Sequence, residues 1–312
     1  MDYPLLKRFQ GALLGAISGR DLADRWLRSA ASPVSPGAEF SGIESRDRSQ
    51  SEHRDWEVSM VALTESLIQN RGFDVARCRH IWQTETRQLA GAPAPTPGEA
   101  AIVALPIILL FHEDAAELRR QLGRLAELWP DADGDTEREA AMLATGLAIA
   151  EILRVPRDTQ GILPSLLETL SPETLHWRQL EQVQIGLSQS VSLAEMENRL
   201  PPADDSAFAL GLYCFLSTPL DPDLTLRRAA RVQSQPRLTA TLGGILSGAY
   251  NGLSGIPVAG RLARRDGGTH IDEVTLLKLA EALSDTWAGI EPSIGPPPDG
   301  PSPVVTAASP AF

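Results

Sequence analysis

An all-α fold, a single compact multi-helix domain, is predicted for this chain on three observations. Apolar residues recur at helical spacing in segment after segment, and no segment alternates convincingly with period two. Aromatic residues make up only 5% of the chain, and β-branched ones are sparse as well, so the side chains that sheets favour are scarce. Two stretches then carry glycine at a strict four-residue spacing: "GALLGAISG" with Gly11, Gly15 and Gly19, and "GGILSGAYNG" with Gly244, Gly248 and Gly252. Glycine costs about 1 kcal/mol relative to alanine in a helix interior. Each row lies on one helix face, where a partner can approach more closely than usual. Helix 4–18 is expected to cross helix 236–253 on these faces, widened by Ala12, Ala16, Ala240 and Gly243. The alternative is that each row packs separately against bulky side chains.

The elements follow in order. After helix 4–18, residues 20–53 read as a break and a long loop, because "SPVSPGAEFSGIESRDRSQSEHR" is rich in Ser, Pro, Gly and charge. Helix returns at 55–70, with Val61, Leu63, Leu67 and Ile68 facing inward. Asp74 caps the next helix, which "GAPAPTPG" ends. An apolar helix at 99–111 contains Pro106 and is expected to kink there. Helices at 114–128 and 136–154 follow. Others are predicted at 162–170, 172–190, 192–198, 205–217 and 222–231, the last capped by Asp221 with Pro222 in its first turn. Helices at 236–253 and 271–290 complete a domain spanning 1–290. The Pro-rich segment 291–312 is expected to be a disordered tail.

A net charge of −12 argues against nucleic acid, whose affinity comes from Lys and Arg on phosphates. "RLARRDGG" at 261–268 is too short a basic cluster to change this and reads as a surface loop. No apolar run approaches the ~20 residues of a membrane span. Cys78 and Cys214 are far apart, and no basic, cleavable leader follows Met1, so buried reduced thiols in a cytoplasmic protein are expected.

Chemistry-bearing motifs are few. His53, His80, His112, His176 and His270 form no ligand pair, and His112 at a helix end reads as a C-terminal capping charge. Nucleophile elbows and phosphate loops are absent. "DADGDTE" at 131–137 begins like a calcium loop but places Met142 where the twelfth-position Glu belongs. A helix start, with Asp135 or Thr136 as cap and Glu137 and Glu139 in the first turn, explains it better. In "HRDWEVSM" at 53–60, Asp55 and Glu57 also open a helix. They complement its dipole unless other acids converge on them.

Together these stretches resemble the ADP-ribosylglycohydrolase family over most of residues 8–256. The family's opening helix is matched by "RFQGALLGAISGRDLADRW", its helix beginning with Thr-Asp-Asp-Thr by "RDWEVSMVALTESLIQN", and its apolar helix with internal proline by "ALPIILL". Its Gly-Gly-Asp-Thr-Asp-Thr segment and following small-residue helix are matched by "QSQPRLTATLGGILSGAYNG". The resemblance implies a compact all-α enzyme whose acidic motifs hold two divalent ions, Mg²⁺ being suited to such oxygen ligands. Those ions orient ADP-ribose and help water cleave its glycosidic bond.

The acidic positions depart from that pattern. Thr-Asp-Asp-Thr becomes Asp55, Trp56, Glu57 and Val58, and Asp-Thr-Asp-Thr becomes Gln235, Pro236, Arg237 and Leu238. Arg20 stands where the family usually has Asp, with Asp21 adjacent. The resemblance therefore implies a family member without catalysis, with no cofactor expected and the scaffold used for binding or structural work. One alternative is a divergent hydrolase with a rebuilt site, in which Glu57 or Asp55 is the general base, with Mg²⁺ if metal is retained. Another is a metal-free reader of ADP-ribose or another anion through Arg237, Arg20 and Trp56. A protein–protein module using segments 20–53 and 291–312 is a further alternative.

Overall fold

The two glycine rows meet backbone to backbone. The computed structural model describes residues 4–31, 56–85, 94–129, 135–154, 158–200, 206–257 and 272–291. Among them every regular element is helical: α1 (Leu5–Ala31), α2 (Trp56–Asn70), α3 (Val75–Glu85), α4 (Pro97–Val103), α5 (Leu105–Phe111), α6 (Ala115–Ala126), α7 (Asp135–Arg154), α8 (Ile162–Thr169), α9 (Leu175–Ser188), α10 (Leu193–Arg199), α11 (Ala207–Ser217), α12 (Pro222–Ala229), α13 (Pro236–Asn251) and α14 (Glu273–Trp287), with a short 3-10 turn at Leu253–Gly255.

A Cβ placed on Gly11 would stand 2.2 Å from the carbonyl oxygen of Gly248. One on Gly15 would be 2.1 Å from that of Gly244, and one on Gly19 2.0 Å from that of Ala240. The relation is reciprocal, since a Cβ on Gly244 or Gly248 would meet the carbonyl of Gly15 or Gly11 at 2.1 and 2.0 Å. The register descends along α13 as it rises along α1, so the helices are antiparallel. Such contacts place Cα–H groups against carbonyl oxygens, each worth about 0.5–1 kcal/mol. The opposite side of α13 repeats the device: a Cβ on Gly211 of α11 would lie 3.0 Å from the nitrogen of Gly243. Around this pair, α4, α7, α11, α12 and α14 supply the surrounding layer, and the main apolar core runs from Phe9 and Leu13 to Leu283.

Residues 20–31 correct the predicted break, because α1 continues through them to Ala31. The small-residue face stays in phase, with Ala23 fully buried beside Ala229, Ala230 and Ala240. Arg20 and Asp24 form an i,i+4 ion pair on the neighbouring face, at 3.7 Å. The remainder of the predicted loop, like the Pro-rich tail after residue 291, lies outside the described residues.

Arg8, on the first turn of α1, is buried. It is 5% exposed and donates from Nε to the carbonyl of Ala249 (2.8 Å) and from Nη1 to that of Leu153 (2.9 Å). A third donation, from Nη2, goes to Ile152. These carbonyls belong to the last turns of α13 and α7, where a cation complements the negative helix end.

Pro106 interrupts the apolar helix at the position where the kink was expected. Helix α4 ends at Val103, Ala104 joins with φ −69° and ψ −12°, and α5 begins at Leu105. The expected caps are present at Asp74, which accepts from the amides of Ala76 and Arg77, and at Asp221, which accepts from that of Leu224. Cys78 and Cys214 are buried free thiols, and burial pushes Cys214 up to about 12.

Two expectations from the chemistry-bearing residues are revised. His112 donates from Nδ1 to the carbonyl of Leu109 at 2.8 Å, so it does cap α5. It is only 7% exposed, however, wedged between Phe9 and Trp287 with ring centroids 5.7 and 5.6 Å away. Burial holds it below the usual histidine range, so it acts as a neutral aromatic rather than a charge. Glu137 reaches beyond its own helix. Its carboxylate accepts from the amide of Leu175 at 3.0 Å and from His176 Nδ1 at 3.0 Å, capping the start of α9. Asp131 and Asp133 of the calcium-like stretch lie outside the described residues.

The glycine contact yields a first prediction. Gly15→Ala forces a methyl group onto a backbone carbonyl that no rotamer change can move, and is expected to lower unfolding free energy by about 3 kcal/mol or more. Gly72→Ala, whose Cβ would meet nothing within 4 Å, should change it by less than about 0.5 kcal/mol. Chemical denaturation followed by circular dichroism separates the two.

A second prediction concerns acid. The hydrogen bond from His176 is the main cause holding the Glu137 carboxyl below its ordinary value, with the Leu175 amide adding to it against partial burial. A depressed carboxylate stabilises the fold above its unfolded pKa, and that contribution fades as pH falls through the folded value. Glu137→Ala should cost about 1–2 kcal/mol at neutral pH from the lost bonds to α9. The gap from wild type should close toward pH ~3, below the ordinary glutamate range, in a series of melts.

Candidate functional site

Four helix N-termini gather around one corner of the α1–α13 pair. Helix α13 begins after Gln235, with Pro236 in its first turn and no side-chain cap. The strand of chain leading into it is held from α10, where the Glu197 carboxylate accepts from the amides of Gln233 (2.7 Å) and Ser234 (2.9 Å). Arg231, just before, lays its guanidinium 4.7 Å above the ring centroid of Trp26 near the end of α1. Both contacts fix the path of the chain into residues 235–238.

Leu238 then packs over Gly98 at the start of α4. A Cβ on Gly98 would lie 3.4 Å from Leu238 Cδ1 and 3.7 Å from the Cβ of Ala207, the first residue of α11. Helix α4 caps itself: Thr96 Oγ1 accepts from the amide of Glu99 at 3.3 Å, and the Glu99 carboxylate accepts from that of Thr96 at 2.9 Å. Trp56 brings the start of α2 to the same corner.

Of the five residues singled out from the sequence, three come together. Arg237, in the first turn of α13, donates from Nε to Asp24 Oδ1 on α1. The other oxygen of Asp24 faces Arg20 Nε at 3.7 Å. The Arg20 guanidinium carbon in turn lies 5.9 Å from the centroid of the Trp56 ring, a cation–π geometry. Trp56 is only 7% exposed and belongs to the main core. Glu57 occupies the first turn of α2, but its side chain, like the whole of Asp55, lies outside what the structure describes.

The residue that sequence reasoning missed is Asp24. Its signal was present as an Arg20–Asp24 pair at helical spacing, but it is legible only if the helix is carried past residue 20. Its role is electrostatic. A cation in the first turn of α13 opposes the helix dipole, and Asp24 compensates it across the α1–α13 contact. The side chains of Arg237 and Asp24 are 32% and 20% exposed, so solvent screens the pair only in part.

These donors do not suit the divalent ions that the family resemblance implies. Mg²⁺ requires oxygen ligands in near-octahedral array, whereas both oxygens of Asp24 face guanidinium groups. The positions matching the second acidic motif hold an amide, a proline, a guanidinium and an alkyl chain. Among the described residues no group of three or more His, Cys, Asp or Glu side chains converges to hold a metal.

An all-α scaffold with a close-packed glycine-faced helix pair, and helix N-termini gathered at one end of it, is the class of protein that these features define. The family model for ADP-ribosylglycohydrolase matches residues 1–291, and the chain belongs to that family. No curated protein matches it in sequence. Among the described residues no helix is long and apolar enough to cross a membrane.

The Asp24–Arg237 pair gives a third prediction. Asp24→Asn and Arg237→Gln should each destabilise the fold, and the double variant should cost less than their sum. A coupling of about 1–2 kcal/mol, shrinking as salt screens the pair, is the expected outcome of a double-mutant cycle by urea denaturation.

Proposed function

We propose that this member of the ADP-ribosylglycohydrolase family is non-catalytic and keeps its scaffold for binding or structural work. The observation that carries this reading is the Arg237–Asp24 ion pair. A guanidinium fills a position matching an acid of the family's second motif, and the carboxylate beside it is engaged by that guanidinium and by Arg20. Hydrolysis needs a water molecule positioned and deprotonated beside the glycosidic carbon, and both oxygens of Asp24 are turned to guanidinium groups.

A second reading, a metal-free reader of ADP-ribose or another anion, is favoured by the position of Arg237: its guanidinium lies in the first turn of α13 and its side chain is about one-third exposed. A phosphate could displace Asp24 from Arg237 through charge-assisted hydrogen bonds.

Two measurements test these readings. The purified chain, supplied with Mg²⁺ or Mn²⁺ and an ADP-ribosylated arginine peptide, is expected to release no ADP-ribose. Release that disappears in Asp55→Ala/Glu57→Ala would instead establish the hydrolase with a rebuilt site. Calorimetry with millimolar ADP-ribose then separates the reader, which gives heat that Arg237→Gln abolishes, from a protein-binding scaffold, which gives none.

A further inference from the structure

We propose that the Arg237 guanidinium is a tethered cation that ties the start of α13 to α1 in place of a divalent ion, so that the folded chain neither requires nor takes up Mg²⁺ or Mn²⁺ at this corner. The inference rests on the family membership and non-catalytic reading above, and it concerns the start of α13, where the chain's residues and the family's metal chemistry disagree.

The geometry supports it in three ways. First, a metal ion joins helices by collecting oxygen atoms from each, and here the joining is done by nitrogen donors. Arg237 of α13 reaches Asp24 of α1, and Arg20 of α1 covers Trp56 at the start of α2. Guanidinium suits this task because it is planar, permanently charged and offers several donors in fixed directions. Second, the position is intrinsically unfavourable for a cation, being the positive end of α13. Arg237 is accommodated there because Asp24 stands opposite, and a second cation would meet both the dipole and the guanidinium. Third, the approach to the site is fixed independently of any ligand. Glu197 holds the amides of Gln233 and Ser234, and Arg231 lies on Trp26. The chain thus delivers Arg237 to Asp24 through contacts of its own.

Reversing the charge should reverse the preference. In Gln235→Asp/Arg237→Asp, two new carboxylates join Asp24 at the start of α13 and give a hard cation oxygen ligands. The full-length wild type, titrated with Mn²⁺ in a calorimeter, is expected to give no binding heat, and its Tm should be the same in EDTA and in Mn²⁺. The double variant is expected to bind Mn²⁺ at submillimolar concentration and to melt higher in its presence, as any ligand selective for the folded state requires.

Mn²⁺ uptake by the wild type at this corner, abolished by Asp24→Asn, overturns the proposal. So does a folded double variant that ignores Mn²⁺. Should that variant not fold, Arg237→Lys and Arg237→Met decide. The methionine variant, keeping bulk without charge, should lose about 2–6 °C in Tm, and lysine should restore much of it. A lysine variant no more stable than the methionine one overturns the proposal. Mn²⁺ uptake without release of ADP-ribose would sink this inference alone, whereas release of ADP-ribose would sink the non-catalytic reading.

Discussion

The contact between the backbones of α1 and α13 constrains nearly everything else in the molecule. Carbonyl oxygens of one helix sit where side chains of the other would begin, at Gly11, Gly15 and Gly19 on one side and Gly244 and Gly248 on the other. Contacts of that kind admit one register. Once Gly19 lies on Ala240, Asp24 falls a little over one turn further along α1, and Arg237 falls one turn back toward the start of α13. The ion pair is therefore placed by the glycines, although no glycine touches it. Arg8 closes the opposite end of the same pair by bonding to the last carbonyls of α13 and α7. The helix pair is thus pinned by a guanidinium at each end and by bare backbone between them.

Packing was far more legible in the sequence than polar pairing. Gly11, Gly15 and Gly19 announce a close approach because glycine in a helix is costly and its spacing specifies a face. Their partner could be named because a second row of equal spacing exists. Helix limits at Asp74 and Asp221 were likewise local signals, carried by residues adjacent to the helices they cap. What escaped reading was long-range. Glu137 looks like a first-turn acid of its own helix, and nothing near it in sequence says that it caps α9, 38 residues away. Arg8 looks like a surface charge until the last turns of two other helices are placed over it. His112 could be read as a helix-end group, but its neutrality follows from burial between Phe9 and Trp287, which only the assembled fold reveals. The extension of α1 to Ala31 was missed because charged residues at 20–28 mask the small-residue face that continues through Ala23.

The candidate site shows the same division. Fold and chemistry place demands on different atoms of this family scaffold: the first on Cα positions of two central helices, the second on side chains at helix starts. A chain can alter one set and retain the other. Here the family model spans residues 1–291, while Gln235 and Arg237 stand at the start of α13. The Arg237–Asp24 pair follows from the packing of α1 on α13 and puts a guanidinium where the family resemblance implies an acid.

The central helix pair also joins the two ends of the described fold, and this bears on how the chain folds as it is made. Arg8 and its acceptor Ala249 are separated by 241 residues. At synthesis rates of roughly 5–20 residues per second, the N-terminal helix emerges roughly 12–48 s before its partner exists. During that interval its glycine face has nothing to pack against, and the Ala249 carbonyl that Arg8 will bond has not been made. The intervening helices can pair among themselves, but the centre of the molecule closes only once α13 has been made. A nascent chain of this kind must keep the glycine face of its first helix open until its second-to-last described α-helix arrives.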